Sequence, residues 1–146
     1  PSGPQRIMTL PVFSDAWAMA CSLVLNQNSA YREAAATWEG ALLLHMAPEP
    51  GGTEERRVFL DLWHGECRTA RAAAPADEIE ARYVLTGSIS SWRLVLTGRV
   101  PPLLAIMTGK LKLTKGSLAE LIPYVSAAKE LVITAASVES VFPDDA

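Results

Sequence analysis

The chain has 146 residues, of which 49% are apolar and 20% charged, and its formal net charge is -3. This composition is typical of one globular domain with a sizeable core, and it excludes an intrinsically disordered chain. The longest apolar run, from Ala16 to Leu25, is too short to cross a bilayer and has no basic start like that of a signal peptide, so we predict a soluble cytoplasmic protein.

We predict that the two ends of the chain lie outside the fold. Residues 1–6 contain no initiating Met and are typical of a tag remnant or a trimmed terminus. We therefore assign 1–13 to a disordered or tag-derived terminus, 14–142 to a single domain, and 143–146 to a frayed end. Phe142 is expected to pack back on the domain as an anchor.

Two helices are predicted before any strand. Ser14 is a good helix cap, and Trp17, Cys21 and Val24 recur at steps of three and four residues, which predicts a first helix ending near Leu25. A short second helix is expected over 29–36.

Four strands follow. The first, 38–47, has apolar residues on both faces, which is typical of a strand at the centre of a sheet. Strands over 57–64 and 67–73 continue it as a meander. A fourth strand is predicted over 79–86, where apolar and polar residues alternate.

The second half alternates between helix and strand. A helix capped by Ser88 is expected to stop near Gly98, a second begins at the Pro101 pair, and Gly109 suits its left-handed cap. The alternating residues 110–114 predict a fifth strand, and a last helix starts at Ser117. Pro123 either distorts that helix or marks a second helical start. The order of elements indicates an α+β fold, with about five helices on one face of a five-stranded, mostly antiparallel sheet.

Several of these segments resemble the sterol carrier protein-2 family of lipid-binding domains. The matching features, in the order and spacing of that family, are Trp38, the run Tyr83-Val84-Leu85-Thr86, Trp92 with Gly98, and MTGKLKL from Met107 to Leu113 followed by Gly116. The resemblance spans residues 14–142. It implies the same α+β architecture and a domain that binds or carries lipids.

The residues themselves offer little catalytic chemistry. The chain has no phosphate-binding loop, nucleophile elbow or dinucleotide fingerprint. His45, His64, Glu66 and Cys67 could form a metal site if their strands were neighbours, but we favour strand-end residues that meet solvent. We therefore predict no enzymatic activity, no metal, no cofactor and no nucleic-acid partner.

Apolar residues and positive charge are both concentrated in the second half. Residues 81–119 contain no Asp or Glu and six basic residues, whereas the rest of the chain has seven basic against sixteen acidic residues. The helices carry apolar residues around more of their circumference than one buried stripe requires. A well-filled core and a dimer interface both explain this surplus, and so does an apolar tunnel between the helices and the sheet.

Together with the resemblance, the surplus leads us to predict binding or transfer of a lipid-like ligand, namely a fatty acid, an acyl thioester, a sterol-like molecule or an isoprenoid. The basic residues suggest transient contact with an anionic membrane surface. The alternative is a module for homodimerisation or partner interaction that uses the same apolar surface. The predicted lining residues are Trp92, Leu96, Leu103, Leu104, Met107, Leu121, Val125 and Leu131, and the predicted headgroup contacts are Arg93, Arg99 and Lys112.

Overall fold

A computed structural model describes residues 9–52 and 54–143 of the chain. Their helices cover one face of a five-stranded sheet, which confirms the predicted α+β architecture. No helix within these two ranges is long and apolar enough to span a membrane. In chain order the elements are β1 (Leu10–Pro11), α1 (Asp15–Leu25), α2 (Ser29–Ala34), β2 (Glu39–Met46), β3 (Arg56–Trp63), β4 (Glu66–Ala72), a 3-10 turn (Pro75–Ile79), β5 (Tyr83–Gly87), α3 (Ile89–Leu96), α4 (Pro102–Met107), β6 (Leu111–Lys115), α5 (Leu118–Leu121), a second 3-10 turn (Ile122–Tyr124), α6 (Val125–Ala136) and β7 (Ser140–Val141).

Strand β2 lies at the centre of the large sheet, as its apolar sequence predicts. The strand order is β4-β3-β2-β5-β6, and all pairs are antiparallel except β2 with β5. Leu42 and Leu44 face the helices, whereas Leu43 lies on the other face, and all three are buried. Burial on both faces explains why the strand lacks a polar alternation.

Helix α6 is the central element of the helical layer, because it packs against α1, α2, α3 and α4. Beneath it the core includes Tyr31, Met46 and Trp92. The indole N–H of Trp92 donates a hydrogen bond of 2.9 Å to the backbone carbonyl of His45, which connects α3 to the C-terminal end of β2. This hydrogen bond thus fixes α3 to the central strand of the sheet.

The opposite face of the sheet has a small apolar cluster under a charged cover. Leu43 and Val84 are buried there beside the first 3-10 turn. Arg57 donates to Glu78 at 2.8 Å, and Arg71 forms a two-pronged pair with Asp77. Hydrogen bonds from Arg71 and from the Ala74 N–H lower the pKa of Asp77 to about 2. Arg57 and Arg71 are therefore neutralised in pairs on this face.

The fourth predicted strand is shorter than expected. Strand β5 starts only at Tyr83, and Pro75–Ile79 forms a 3-10 turn that leaves Ile79 80% exposed. Pro75 fits the first turn of a helix, and the carboxylate of Asp77 accepts a hydrogen bond from the Ala74 N–H at 2.8 Å. These local hydrogen bonds, rather than the alternation of apolar residues, determine the conformation.

The N-terminal segment joins the fold earlier than predicted. Leu10–Pro11 pairs in parallel with Ser140–Val141, and Val12 and Phe13 are fully buried. The ring of Phe13 lies 5.4 Å from that of Trp92. The assignment of 1–13 to a disordered terminus is therefore wrong for residues 10–13, because Leu10 and Pro11 form a strand and the side chains of Val12 and Phe13 fill the core. Residues 1–8 and 144–146 lie outside the described part of the chain.

Two expectations about the C-terminal part can be compared with the structure directly. Phe142 is buried, so the predicted anchor is confirmed. Pro123 lies in the 3-10 turn between α5 and α6, and α6 begins at Val125. Of the two interpretations of Pro123, the second helical start is the correct one.

Candidate functional site

An apolar cavity of about 100 Å³ lies between the sheet and helices α1, α3 and α6. We call it the inner cavity. None of the described residues that line it carries a charged side chain. Its principal lining residues are Trp17, Cys21 and Leu25 of α1, Leu42, Leu44, Leu60 and Leu85 of the sheet, Trp92, Val95 and Leu96 of α3, and Leu131, Thr134 and Ala135 of α6.

A second apolar cavity of about 70 Å³, the outer cavity, lies next to the first under α4 and the start of α6. The two cavities share five lining residues, so a single layer of side chains separates them. The shared residues are Leu42, Leu85, Pro102, Ala128 and Leu131.

A surface groove of about 220 Å³ runs between the segment 98–103 and helix α6. Pro102 and Ala128 line this groove as well as both cavities. The contact between α4 and α6 is therefore the partition between the groove and the interior. Lys129 is the only charged residue among the described residues that line the groove.

The sequence of α6 explains why space remains beneath it. Ala127, Ala128 and Ala135 occupy positions that face the interior, where a closed core would need larger side chains. An empty apolar cavity costs roughly 24 cal/mol per Å³, so the inner cavity costs on the order of 2 kcal/mol of stability. A ligand that filled it would recover this free energy.

Four side chains with a sulfur or oxygen atom line the inner cavity. Burial raises the pKa of the Cys21 and Cys67 thiols to about 12. The hydroxyl of Ser22 donates to the Met19 carbonyl at 2.8 Å. The hydroxyl of Thr134 has no hydrogen-bond partner among the described residues, although it is buried. The cavity is consequently apolar, with one buried hydroxyl that has no partner among the described residues.

The structure brings six of the predicted lining residues together around the cavities. Trp92 and Leu96 line the inner cavity, and Leu131 lines both. The other three line the outer cavity, and they are Leu103, Leu121 and Val125.

Leu104 and Met107 do not lie with this set. They are 48% and 68% exposed, and neither lines the inner or the outer cavity. Helix α4 has only six residues, and Ala105 is the one that is fully buried. The predicted lining role of Leu104 and Met107 is wrong, because the helix turns both side chains towards solvent.

The three predicted headgroup contacts are dispersed. The guanidinium of Arg93 lies over the ring of Phe142, 4.5 Å from its centroid. Arg99 is exposed between Gly98 and Val100, which both line the groove. Lys112 pairs with Thr86 across β6 and β5, on the sheet face away from the helices. Lys112 therefore does not fit a contact to a ligand in the cavities, because the sheet lies between them.

The two histidines also lie apart. His45 pairs with Arg57 at the start of β3, and its Nε2 is 2.8 Å from Glu55. His64 follows the other end of β3, and its Nε2 is 2.6 Å from Glu39. The two histidines thus lie at opposite ends of β3 and are too far apart to share a metal ion.

Two functional candidates were missed at the level of sequence. Lys129 is the one basic residue of α6 and is followed directly by Glu130, and Thr134 looks like an ordinary helical threonine. The lining contributed by Trp17 and by the leucines of β2 and β3 follows the helical and alternating periodicities, so those residues could have been found from the sequence. The positions of Lys129 and Thr134 depend on how α6 is rotated over the sheet.

The SCP-2 sterol transfer family matches residues 22–120 of the chain. A crystal structure of sterol carrier protein 2 is 46% identical, with a TM-score of 0.78, over 87% of this chain and 98% of that one. The solution structure of the conserved hypothetical protein TT1886 from Thermus thermophilus is 44% identical, with a TM-score of 0.79, over 94% of this chain and 95% of that one. No curated protein matches the sequence.

A more distant structure shares the fold. Sterol carrier protein 2 from Yarrowia lipolytica, in its apo form, is 20% identical, with a TM-score of 0.57, over 88% of this chain and 98% of that one. At this level of identity, the similarity concerns the arrangement of helices and strands.

The two cysteines give a test of the inner cavity. A rise in pKa from 9.0 to about 12 lowers the thiolate fraction near neutral pH about a thousandfold. Since the thiolate is the reactive form, we expect alkylation of native Cys21 and Cys67 at pH 8 to be slower than in urea by that factor or more. Mass spectrometry of iodoacetamide-treated protein measures both rates. Equal rates in buffer and in urea would contradict the buried placement.

Proposed function

Since this chain belongs to the SCP-2 sterol transfer family, we propose that it binds a lipid-like ligand in the inner and outer cavities and transfers it between membranes. The ligand classes that suit these cavities are a fatty acid, an acyl thioester, a sterol-like molecule and an isoprenoid. The observation that supports the proposal is the pair of adjoining apolar cavities with no charged side chain in their described lining. Removal of apolar surface from water, at about 25 cal/mol per Å², would drive binding.

Size determines how such a ligand is held. An apolar cavity of about 150 Å³ accepts benzene, and neither the inner nor the outer cavity reaches that volume. A long chain would therefore occupy both cavities and continue into the groove. Side chains shared by the two cavities, such as Leu131, would have to change rotamer to join them.

The contact between α4 and α6 is the proposed entrance. Pro102 of α4 and Ala128 of α6 meet both cavities on one side and the groove on the other. Helix α4 is short, and the backbone on either side of it turns through Gly98 and Gly109, which both have positive φ angles. A small outward movement of α4 would connect the groove with the interior.

Lys129 is the proposed contact for an anionic headgroup. It lines a groove whose other described residues are apolar, so its ammonium group is the one local charge that an anion would meet there. Glu130, the next residue, accepts a hydrogen bond from the side chain of Asn28 at 3.1 Å and thus lies towards α2. Arg99, beside the groove, would add a second positive charge. Arg99 thus keeps its predicted role in the proposed site, and Lys129 replaces Lys112.

We also propose transient contact with an anionic membrane through the face that carries the groove. The exposed side chains of Leu104 and Met107 lie on α4, between Arg99 and Lys110 in the sequence. Apolar side chains next to basic ones suit the boundary of an anionic bilayer, where each basic residue contributes roughly 1 kcal/mol. Such contact would place the entrance next to the donor or acceptor membrane.

The proposed transfer needs no chemical step, so the protein would not act as an enzyme. The alternative, a homodimer or partner interface on the same apolar surface, has a separate signature. Native mass spectrometry of freshly purified protein would then show a dimer without a bound small molecule. A monomer with a co-purified lipid supports the carrier function.

A brominated fatty acid tests the site of binding, because bromine quenches nearby indole fluorescence. Trp17 and Trp92 line the inner cavity and Trp38 lines the outer one, whereas Trp63 lies on the other face of the sheet beside Arg68. We expect dibromostearic acid to quench the fluorescence in a saturable manner, and stearic acid to displace it.

The matched variant is Trp63→Phe. It should retain the full amplitude of quenching, since Trp63 is remote from the cavities. If quenching disappeared in this variant, the ligand would lie on the helix-free face of the sheet, beside Trp63, and the proposed site would be wrong.

A charge variant tests the headgroup contact. Lys129→Gln should weaken binding of hexadecanoic acid about tenfold, in keeping with the loss of about 1.5 kcal/mol from a hydrogen bond to a charged group. Binding of hexadecanol should not change, because the alcohol has no charge. Titration calorimetry measures both affinities.

Two further variants serve as controls for this charge. Lys129→Arg should retain the affinity for the acid, and Lys112→Gln, on the opposite face, should have no effect. If Lys129→Gln bound the acid as tightly as the original protein does, the headgroup assignment would be wrong while the cavity proposal remained.

The membrane contact is tested by a charge placed on the exposed face of α4. Met107→Glu should slow transfer of a fluorescent fatty acid to anionic vesicles about tenfold, because an apolar contact is replaced by a repelled charge. Ile79→Glu, at an even more exposed apolar position on the other sheet face, should transfer at the original rate. If both variants slowed transfer to anionic vesicles equally, the assignment of the groove face as the membrane contact would be wrong.

A further inference from the structure

Thr134 carries the one buried side-chain nitrogen or oxygen atom of the described residues that has no hydrogen-bond partner. The residue is 3% exposed and lines the inner cavity from helix α6. An unpaired buried hydroxyl costs about 1–3 kcal/mol. Its position in the wall of an otherwise apolar cavity suggests that a bound molecule supplies the missing partner.

None of the described polar groups that line the same cavity, the Cys21 thiol included, forms a hydrogen bond with the Thr134 hydroxyl. The Ser22 hydroxyl donates to the Met19 carbonyl at 2.8 Å, and the Cys67 thiol donates to the Thr69 carbonyl at 3.5 Å. A buried water usually needs two to four polar partners. The inner cavity offers one unused hydroxyl, so a single water would be poorly held there.

We infer, on the basis of the proposed function, that Thr134 selects ligands with an uncharged oxygen in the part of the molecule that lies in the inner cavity. A hydroxyl, carbonyl or ether oxygen would form a hydrogen bond with Oγ1. A carboxylate is unsuitable, because no charged side chain lines this cavity and a buried unpaired charge is costly. The ligand class is thus an oxygenated lipid rather than a plain hydrocarbon chain.

The placement of α6 allows two contacts with one ligand. Lys129 lines the groove and Thr134 lines the inner cavity, on different sides of the same helix. Five residues of helix correspond to a rise of about 7.5 Å. A ligand that enters between α4 and α6 would place its anionic group at Lys129 and the oxygen on its chain at Thr134.

Pairs of fatty acids test this inference. Acids from decanoic to hexadecanoic are compared by calorimetry with the ω-hydroxy acid of the same length, and the ratio of the two affinities is measured for each variant. At one chain length the ω-hydroxyl group should reach Thr134. For that pair, Thr134→Val should lower the affinity for the hydroxy acid relative to the unsubstituted acid about three- to tenfold, the range expected for one uncharged hydrogen bond. Binding of the unsubstituted acids should be retained.

Ser22→Ala is the matched control, because Ser22 lines the same cavity but its hydroxyl is already bonded. It should leave the ratio unchanged. A shift of the same size in both variants would indicate a general disturbance of the cavity and overturn the inference.

Thermal unfolding of the ligand-free protein provides a second measurement. Thr134→Val replaces an unpaired hydroxyl by a methyl group of similar shape, so the melting temperature should rise by a few degrees. A fall would show that the hydroxyl is already paired and would overturn the inference.

If the original protein binds the unsubstituted acids and the affinity ratios are the same in all variants, the role of Thr134 fails and the proposed function stands. If it binds neither kind of acid, both fail.

Discussion

The contact between helix α6 and the sheet is the constraint on which the site depends. Helix α6 packs on four other helices, so its position is determined from several sides. Where it faces the interior it presents alanines, and the leucines of β2, β3 and β5 that lie opposite do not fill the remaining space. The fold retains cavities because the helix cannot move closer without disrupting its other contacts.

The two faces of the sheet serve different physical roles. On the helix-free face, Arg57, Arg68 and Arg71 each pair with a carboxylate, and a 3-10 turn covers a small apolar cluster. On the helical face, Lys129 lies in an apolar groove. The arginines of the helix-free face are thus engaged by carboxylates, whereas Lys129 lies where an anionic lipid in the groove would meet it.

Much of the fold could be predicted from the sequence, and the failures have local causes. Caps such as Ser14 and Ser88, together with the alternation in β3, are short-range signals that correctly located helices and strands. The fourth strand was predicted to begin at Ile79 rather than at Tyr83, because Ile79 belongs to a 3-10 turn that Asp77 stabilises through hydrogen bonds that a periodicity does not reveal. The small sheet of β1 and β7 was missed, because its two strands have two residues each and lie at opposite ends of the chain.

The order of the elements, the family and the apolar character of the second half can all be derived from the amino-acid sequence, because they follow from local periodicity and from motifs at set spacing. Three-dimensional packing is needed to tell which apolar side chains surround a space and which meet solvent. Leu103 and Leu104 are neighbours of the same type, yet one lines the outer cavity and the other is 48% exposed. The rotation of a short helix against its partners makes that difference, and the rotation of α6 likewise directs Lys129 to the groove and Thr134 to the inner cavity. Such rotations result from the packing of many distant residues, which no local pattern encodes.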